Sequence, residues 1–176
     1  MKILAFAASN SRNSINKKLV TYATTLLDQH EVDMLDINDY AMPIYSIDLE
    51  ETDGIPTQAA QFLQKIAEAD ALVISYAEHN GNYTAAYKNL FDWATRKDRE
   101  VYKGKPVVML STSPGPGGAQ SVLSMARDSA HFFSGRVVAS LSVPSFNDNY
   151  DTATGELSNA ELIAQLKAAL AAIDAP

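Results

Sequence analysis

The sequence predicts an α/β fold in which a parallel sheet of five strands is covered by helices on both faces. Five short apolar runs alternate with stretches of helical periodicity along the 176 residues. The runs around Ile3, Val73 and Val108 are almost continuously apolar, as strands buried on both faces require. A β-α unit repeated five times, with right-handed crossovers, predicts a doubly wound sheet with strand order 2-1-3-4-5.

Each element follows from a local pattern. The predicted strands are apolar runs at residues 3–8, 32–37, 71–76, 106–111 and 135–143. The predicted helices carry apolar residues every three or four positions and cover residues 14–29, 55–69, 85–95, 119–133 and 159–173. Pro56 fits the first turn of the second helix, where its missing N–H is harmless. Ser158 and Glu161 form a candidate capping box for the last helix.

Composition and charge fit one domain over residues 1–176 and exclude several kinds of partner. The 14 basic and 21 acidic residues leave a net charge of −7, which disfavours nucleic acid and anionic membrane surfaces. The absence of cysteine excludes disulfides, thiol nucleophiles and thiolate metal sites. No histidine pair stands at metal-ligand spacing, so we expect no bound metal. The apolar run 3–8 is too short to span a membrane and fits a buried strand better than a signal peptide, so we expect a cytoplasmic protein.

Ligands of such sheets bind at the carboxyl ends of the strands, so the loops after the first, third and fourth strands are the candidate site. The first loop, residues 7–16, places hydroxyl and amide side chains and Arg12 between a buried strand and a helix N-terminus. Hydroxyls, a permanent charge and free helix N–H groups together suit a phosphate monoester. Serine and asparagine are also ordinary helix caps, but one cap would not need so many of them.

The other two loops are less specific. In the loop after the third strand, Gly81 allows close approach of a flat ligand and the flanking asparagines offer donors and acceptors. His79 either stacks on such a ligand or is a plain surface histidine. The third loop, residues 111–118, contains two prolines and three glycines, which suit either an N–H-lined cradle or an ordinary turn. Two longer loops, 38–54 and 144–155, are expected to shape an acceptor pocket, with Tyr45, Phe146 and Tyr150 as candidate ring contacts.

Over most of its length the chain resembles the NAD(P)H-dependent FMN reductases, a flavodoxin-like family that includes quinone, chromate and azo reductases. In the family's first motif Ser9, Ser14 and Asn16 match, while Ser11 stands where arginine is usual and Arg12 follows it. The middle motif is the most specific, and there Ala77 and His79 replace the usual proline and tyrosine. The residues that match it are Glu78, Asn80, Lys88, Asn89, Asp92 and Trp93.

The resemblance implies an enzyme that takes reducing equivalents from NAD(P)H and passes them, by ping-pong hydride transfer through FMN, to quinones or related small acceptors such as free flavin, azo compounds or chromate. The flavin carries the chemistry, so no catalytic side chain is implied. The implied phosphate contacts are Ser9, Ser11, Arg12, Ser14 and Asn16. The implied ribityl and ring contacts are Glu78, His79, Asn80 and Gly81, with Asn82 nearby, and Thr112, Ser113 and Gly115 at the pyrimidine edge.

The family also implies a homodimer or homotetramer, and Asp92, Trp93 and Arg96 lie on a helix suited to such a contact. Two other functions stay open at this point. A flavodoxin-like electron carrier would share the fold and the cofactor but would not oxidise NAD(P)H. A non-enzymatic flavin-binding or sensor domain is the second alternative, because the motif changes at Ala77 and His79 alter the cofactor loop.

Overall fold

The computed structural model describes residues 1–175, so Pro176, the last residue of the predicted domain, lies outside the described residues. The parallel sheet contains five strands: β1 (Lys2–Ala8), β2 (Glu31–Leu35), β3 (Ala71–Tyr76), β6 (Pro106–Thr112) and β7 (Arg136–Val143). The intervening strands β4 (Glu78–His79) and β5 (Asn82–Tyr83) form a separate hairpin. The order in the sheet is β2-β1-β3-β6-β7, which is the predicted order 2-1-3-4-5 once the hairpin is set apart.

Helices cover both faces of the sheet. Successive side chains of β1 alternate between two cores because strand side chains point to opposite faces. The main helices are α1 (Ile15–Thr25), α3 (Thr57–Glu68), α4 (Ala85–Lys97), α5 (Gln120–Ser129) and α7 (Ala160–Ala171). Leu4 and Phe6 pack with α3, α4 and α5 on one face, whereas Ile3 and Ala5 pack with α1 and α7 on the other.

The two segments predicted as long loops contain short helices and a hairpin that the sequence did not predict. The first contains a 3-10 helix, Ile37–Tyr40, and the short helix α2 (Ile47–Asp53). Ser46 begins α2 by accepting a hydrogen bond from the Leu49 N–H at 3.1 Å. The second contains α6 (Phe146–Asn149) and a small hairpin of β8 (Tyr150–Asp151) and β9 (Glu156–Leu157). Polar, turn-rich composition concealed these elements because each is too short to show a period.

Besides α1, which ends at Thr25 instead of the predicted residue 29, two helix ends differ from prediction. The last helix is capped by Asn159, not Ser158, because the Asn159 carboxamide accepts from the N–H groups of Glu161 and Leu162. The fourth predicted helix ends as α5 at Ser129, and the chain then tightens into a 3-10 turn over Ala130–Phe133. Neither difference moves the carboxyl edge of the sheet, where the candidate site lies.

Candidate functional site

A cleft of about 290 Å³ opens at the carboxyl ends of β1, β3 and β6. All three loops singled out from the sequence contribute to its walls. The predicted contacts that line it are Ser9, Ser11, Ser14, Asn16, Glu78, His79, Thr112 and Ser113, together with Asn13, Ile15, Ala77 and Pro114. The predicted contacts outside the lining are Arg12, Asn80, Gly81, Asn82 and Gly115.

The first wall of the cleft is the N-terminus of α1. Ser14 is buried and caps this helix by accepting a hydrogen bond from the Lys17 N–H at 3.2 Å. Ser9, also buried, accepts from the Ser11 N–H at 3.2 Å and so tightens the loop before the helix. The first N–H groups of a helix have no acceptor inside it and carry partial positive charge. This end of the cleft can therefore receive an anionic oxygen.

Arg12 stands beside this wall with its side chain exposed. No salt bridge to Arg12 is found within residues 1–175, whereas Lys17, one turn into α1, is paired with Asp36 at 2.6 Å. The hydrogen bond from Lys17 lowers the pKa of the Asp36 carboxyl below its ordinary value, so that pair stays ionised. Arg12 is thus a cation of this loop that is not already engaged in the described part of the chain.

The side chain of Asn16 links the first loop to the start of the third loop by hydrogen bonds. Its Nδ2 donates to the Thr112 carbonyl at 3.1 Å, and its Oδ1 accepts from the Thr112 N–H at 3.1 Å and from the Ser75 hydroxyl at 2.8 Å. All three residues are buried. The predicted role of Asn16 as a phosphate contact stays a prediction, and the observed bonds add a second role, which is to set the distance between two walls of the cleft.

The second wall is a hairpin formed by β4 (Glu78–His79) and β5 (Asn82–Tyr83). Asn80 and Gly81 form its two-residue turn with φ of 54° and 74°, the left-handed pair that a type I′ turn requires. Gly81 is therefore needed for the turn itself. The Glu78 carboxylate accepts from the Val122 N–H at 2.8 Å, which ties the hairpin to the first turn of α5.

The third wall is the turn between β6 and α5, and it is held by three hydroxyl side chains, of which Ser111 and Thr112 are buried and Ser142 is half-buried. The Ser111 and Ser142 hydroxyls both donate to the Gly118 carbonyl, at 2.7 and 2.8 Å. The Thr112 hydroxyl donates to the Val143 carbonyl at 2.7 Å. The Ser145 N–H donates to the Gly115 carbonyl at 2.9 Å, which secures the turn from the segment after β7. The side chain of Thr112 is therefore engaged in the protein, and the half-buried Ser113 hydroxyl donates to the Gly115 carbonyl at 3.2 Å.

Sequence reasoning missed two residues that support the first loop. Thr84 caps α4 and donates its hydroxyl to the Ala8 carbonyl at 3.0 Å. Asn38 donates its carboxamide N–H to the Asn10 carbonyl at 3.2 Å. The threonine before an amphipathic stretch is a recognisable cap. The second contact joins residues 28 positions apart and left no local signal.

The residues predicted for an acceptor pocket do not line this cleft. Phe146 is buried in the core and stacks on Tyr150 with ring centroids 4.5 Å apart. The Tyr45 hydroxyl donates to Glu50 at 3.1 Å, and its ring meets Trp93 edge-on. A separate groove of about 290 Å³ lies between α4 and the segment that contains Ile37 and Ile44, and it reaches the first loop at Asn10.

Of the helix residues suggested for a subunit contact, Trp93 is fully buried and donates its indole N–H to the Pro43 carbonyl at 2.8 Å. Asp92 pairs with Lys88, and Arg96 pairs with Glu50. Core packing therefore accounts for Trp93.

In the part of the chain that the structure describes, no helix is long and apolar enough to cross a membrane. No group of three His, Asp or Glu side chains close enough to hold a metal ion is found there either.

The sequence profile described as NADPH-dependent FMN reductase matches residues 1–149. The chain belongs to this family. A 2-hydroxy-1,4-benzoquinone reductase from a Burkholderia species is 34% identical over 72% of this chain and 68% of its own length. The family match confirms the predicted oxidoreductase class, with FMN as cofactor and NAD(P)H as reductant.

Solved structures confirm the fold of this FMN reductase. A flavoenzyme NAD(P)H:(acceptor) oxidoreductase from Paracoccus denitrificans superposes with a TM-score of 0.77 at 24% identity, covering 98% of this chain and 95% of that one. A flavodoxin variant from Pseudomonas aeruginosa superposes with a TM-score of 0.56 at 17% identity, covering 97% and 99%. This likeness establishes the flavodoxin-like architecture.

Proposed function

We propose that this chain is an FMN-dependent NAD(P)H oxidoreductase that reduces quinones or related small acceptors, including free flavin, azo compounds or chromate. The observation that carries the proposal is the cleft itself. A hydroxyl-rich helix N-terminus, a type I′ hairpin and a glycine-rich turn meet there within one cavity. Family membership and the similarity to a benzoquinone reductase support the same reaction class.

The residues present fit the cofactor. A phosphate monoester needs N–H and O–H donors and a cation, and the α1 terminus with Ser9, Ser11 and Arg12 supplies them. Glu78 and His79 line the cleft from the hairpin, and Thr112 and Ser113 line it from the end of β6. We assign these two groups to the ribityl chain and the ring, in that order. Asn80, Gly81, Asn82 and Gly115 border the same loops and would act through backbone position.

Bound FMN would supply the centre that accepts a hydride from NAD(P)H and returns it to the acceptor. The protein's own groups bind and orient. The hydrogen bonds of Asn16 fix the first loop against the third, and Glu78 fixes the hairpin against α5. Backbone N–H groups of the turn after β6 would stabilise negative charge on the reduced ring. A prearranged cleft of this kind lowers the cost of ordering the cofactor loops on binding.

We further propose a cytoplasmic homodimer or homotetramer that does not bind nucleic acid or membranes. The net charge of −7 supports the last two points, since phosphate backbones and anionic lipids would be repelled. Size-exclusion chromatography with light scattering tests the assembly. A monomer at micromolar concentration, with full activity, would reject the oligomer.

Cofactor content and turnover test the proposed reaction. Purified protein should be yellow or become yellow with added FMN, and denaturation should release FMN. NADH and NADPH oxidation should then be followed with quinones, azo dyes, chromate and free FMN as acceptors. Protein that binds FMN but does not oxidise either nucleotide would be an electron carrier or a sensor. Colourless protein that does not bind added FMN would refute the assignment of FMN as cofactor.

A further inference from the structure

The tip of the cleft hairpin combines an asparagine and a glycine in an exposed turn. Asn80 and Gly81 are both exposed, and theirs is the one Asn-Gly pair in the 176-residue sequence. Apart from Gly81 and its two chain neighbours, no residue has an atom within 4 Å of the position where a side chain on Gly81 would begin. Within residues 1–175, neither the Asn80 carboxamide nor the Gly81 N–H makes a hydrogen bond, so both reacting groups are free.

The base of the same hairpin is firmly held. Glu78 is tied to the Val122 N–H at 2.8 Å. The Tyr83 ring packs against the rings of Tyr76 and Tyr87, with centroids 5.7 and 5.2 Å away. The tip can therefore leave its turn conformation by a local opening that keeps the base in place, the kind of low-energy fluctuation that exposed turns undergo.

We propose that Asn80 is a site of spontaneous deamidation. The Gly81 backbone nitrogen attacks the Asn80 side-chain carbonyl carbon and loses its proton. A new C–N bond closes a succinimide ring while the bond to the side-chain nitrogen breaks, and ammonia leaves with that proton. Water then opens the ring at either carbonyl, which gives aspartate or isoaspartate at position 80. The reaction needs only water, and glycine favours it because no side chain hinders the attacking nitrogen.

At two other candidate positions the attacking nitrogen already makes a hydrogen bond. The Asp53–Gly54 pair could form the same ring by losing water instead of ammonia, but its Gly54 N–H donates to the Glu50 carbonyl at 2.9 Å at the end of α2. Asn13 precedes Ser14, whose N–H donates to the Ser11 carbonyl at 3.2 Å and whose side chain adds bulk. The nitrogen that would attack is engaged in both cases. Asn80 is therefore expected to convert first.

Conversion would change the cleft. Either product adds a negative charge next to His79, which lines the cavity, and isoaspartate also lengthens the backbone within the two-residue turn. The next expectation rests on the proposed function. The added charge should raise the FMN dissociation constant roughly three- to tenfold, the size of one screened charge interaction. Bound FMN should in turn slow conversion by restraining the hairpin.

The test incubates the full-length protein, stripped of flavin, in mildly alkaline buffer and maps peptides by mass spectrometry and isoaspartate detection. Conversion is expected at Asn80 ahead of Asn10, Asn13 and Asn82, and Asn80→Gln should abolish it, since a larger ring closes far more slowly. Intact Asn80 after other asparagines have converted would overturn the proposal.

Two further measurements separate this proposal from the proposed function. Asn80→Asp mimics one product, and FMN binding to it as tight as to the unmodified protein would reject the stated consequence. Saturating FMN should reduce the conversion rate, and an unchanged rate with FMN demonstrably bound would reject contact between hairpin and cofactor. If the protein binds no FMN at all, the proposed function fails, while the peptide map still decides whether Asn80 deamidates.

Discussion

Asn16 and Thr112 exchange two hydrogen bonds across 96 positions of the chain. The Asn16 carboxamide acts as donor to the Thr112 carbonyl and as acceptor for the Thr112 N–H, both at 3.1 Å. An asparagine in this position imitates one more residue of a β-ladder, because it offers a donor and an acceptor side by side. The first residues of α1 are thereby joined to the end of β6, and the cleft lies between them.

Replacing Asn16 should therefore lower the stability of the fold as well as disturb the cofactor site. Asn16→Ala leaves a buried N–H, a carbonyl and the Ser75 hydroxyl without this partner and should lower the free energy of unfolding by about 2–4 kcal/mol. Asn13→Ala, an exposed change in the same loop, is the matched control and should stay within about 0.5 kcal/mol of wild type. Urea denaturation of the apoprotein measures both, and equal stabilities of the two variants would contradict the structural role.

Arg12 should matter for FMN and not for folding. Its side chain is exposed and makes no salt bridge within the described residues, so Arg12→Ala should leave the unfolding free energy of the apoprotein unchanged. FMN binding should weaken by about 1.5–3 kcal/mol, the loss typical of a hydrogen bond to a charged group. Fluorescence titration with FMN measures this, with Lys18→Ala as an exposed cationic control. An unaltered dissociation constant would transfer the phosphate role to Ser11 and the α1 terminus.

Gly118 should tolerate no side chain. It has a φ of 58°, and a Cβ atom would lie within 3.2 Å of the Pro144 backbone and collide with the Ser142 hydroxyl. Gly118→Ala should destabilise the protein by about 2–4 kcal/mol through backbone strain and overpacking. Gly117→Ala, one residue earlier with open space around it, should cost little. Thermal unfolding of the pair checks this, and comparable melting temperatures would disprove the close contact.

The buried tyrosines should make the fold sensitive to alkaline pH. Burial raises the pKa of Tyr83 to about 12 and raises the pKa of Tyr76 and Tyr87 further above their ordinary value. In the unfolded chain these hydroxyls ionise near pH 10, as free tyrosine does. Because the folded pKa values are the higher ones, their stabilising contribution is complete below about pH 10 and is lost as pH rises toward 12 and beyond.

Tyrosinate absorbance and circular dichroism, followed together from neutral to strongly alkaline pH, check this expectation. The late-titrating tyrosines should ionise only as the helical signal disappears. Tyr83→Phe removes one group that must stay neutral in the fold and should move the unfolding midpoint to higher pH. Ionisation of every tyrosine near pH 10 with the fold intact would show that the cluster is open to solvent.

The sequence by itself determined the architecture and the position of the site. Short, almost continuously apolar runs such as Ala71–Tyr76 predict strands buried on both faces, and their alternation with helical periods predicts a parallel, doubly wound sheet. The carboxyl edge then follows from topology, which is why three loops distant in the chain could be assigned to one cleft. A serine or asparagine cap was already one of the two explanations for the first loop, because capping depends on neighbours within one turn.

Only the tertiary structure decided what individual side chains do in the cleft. Asn16, Glu78 and Thr112 were predicted as cofactor contacts, yet each also bonds a partner on another element. Asn38 and Thr84 support the first loop without any local sign of that role. Such bonds join residues far apart in the chain, so their partners are set by how helices and strands pack, and no pattern of neighbouring residues encodes them.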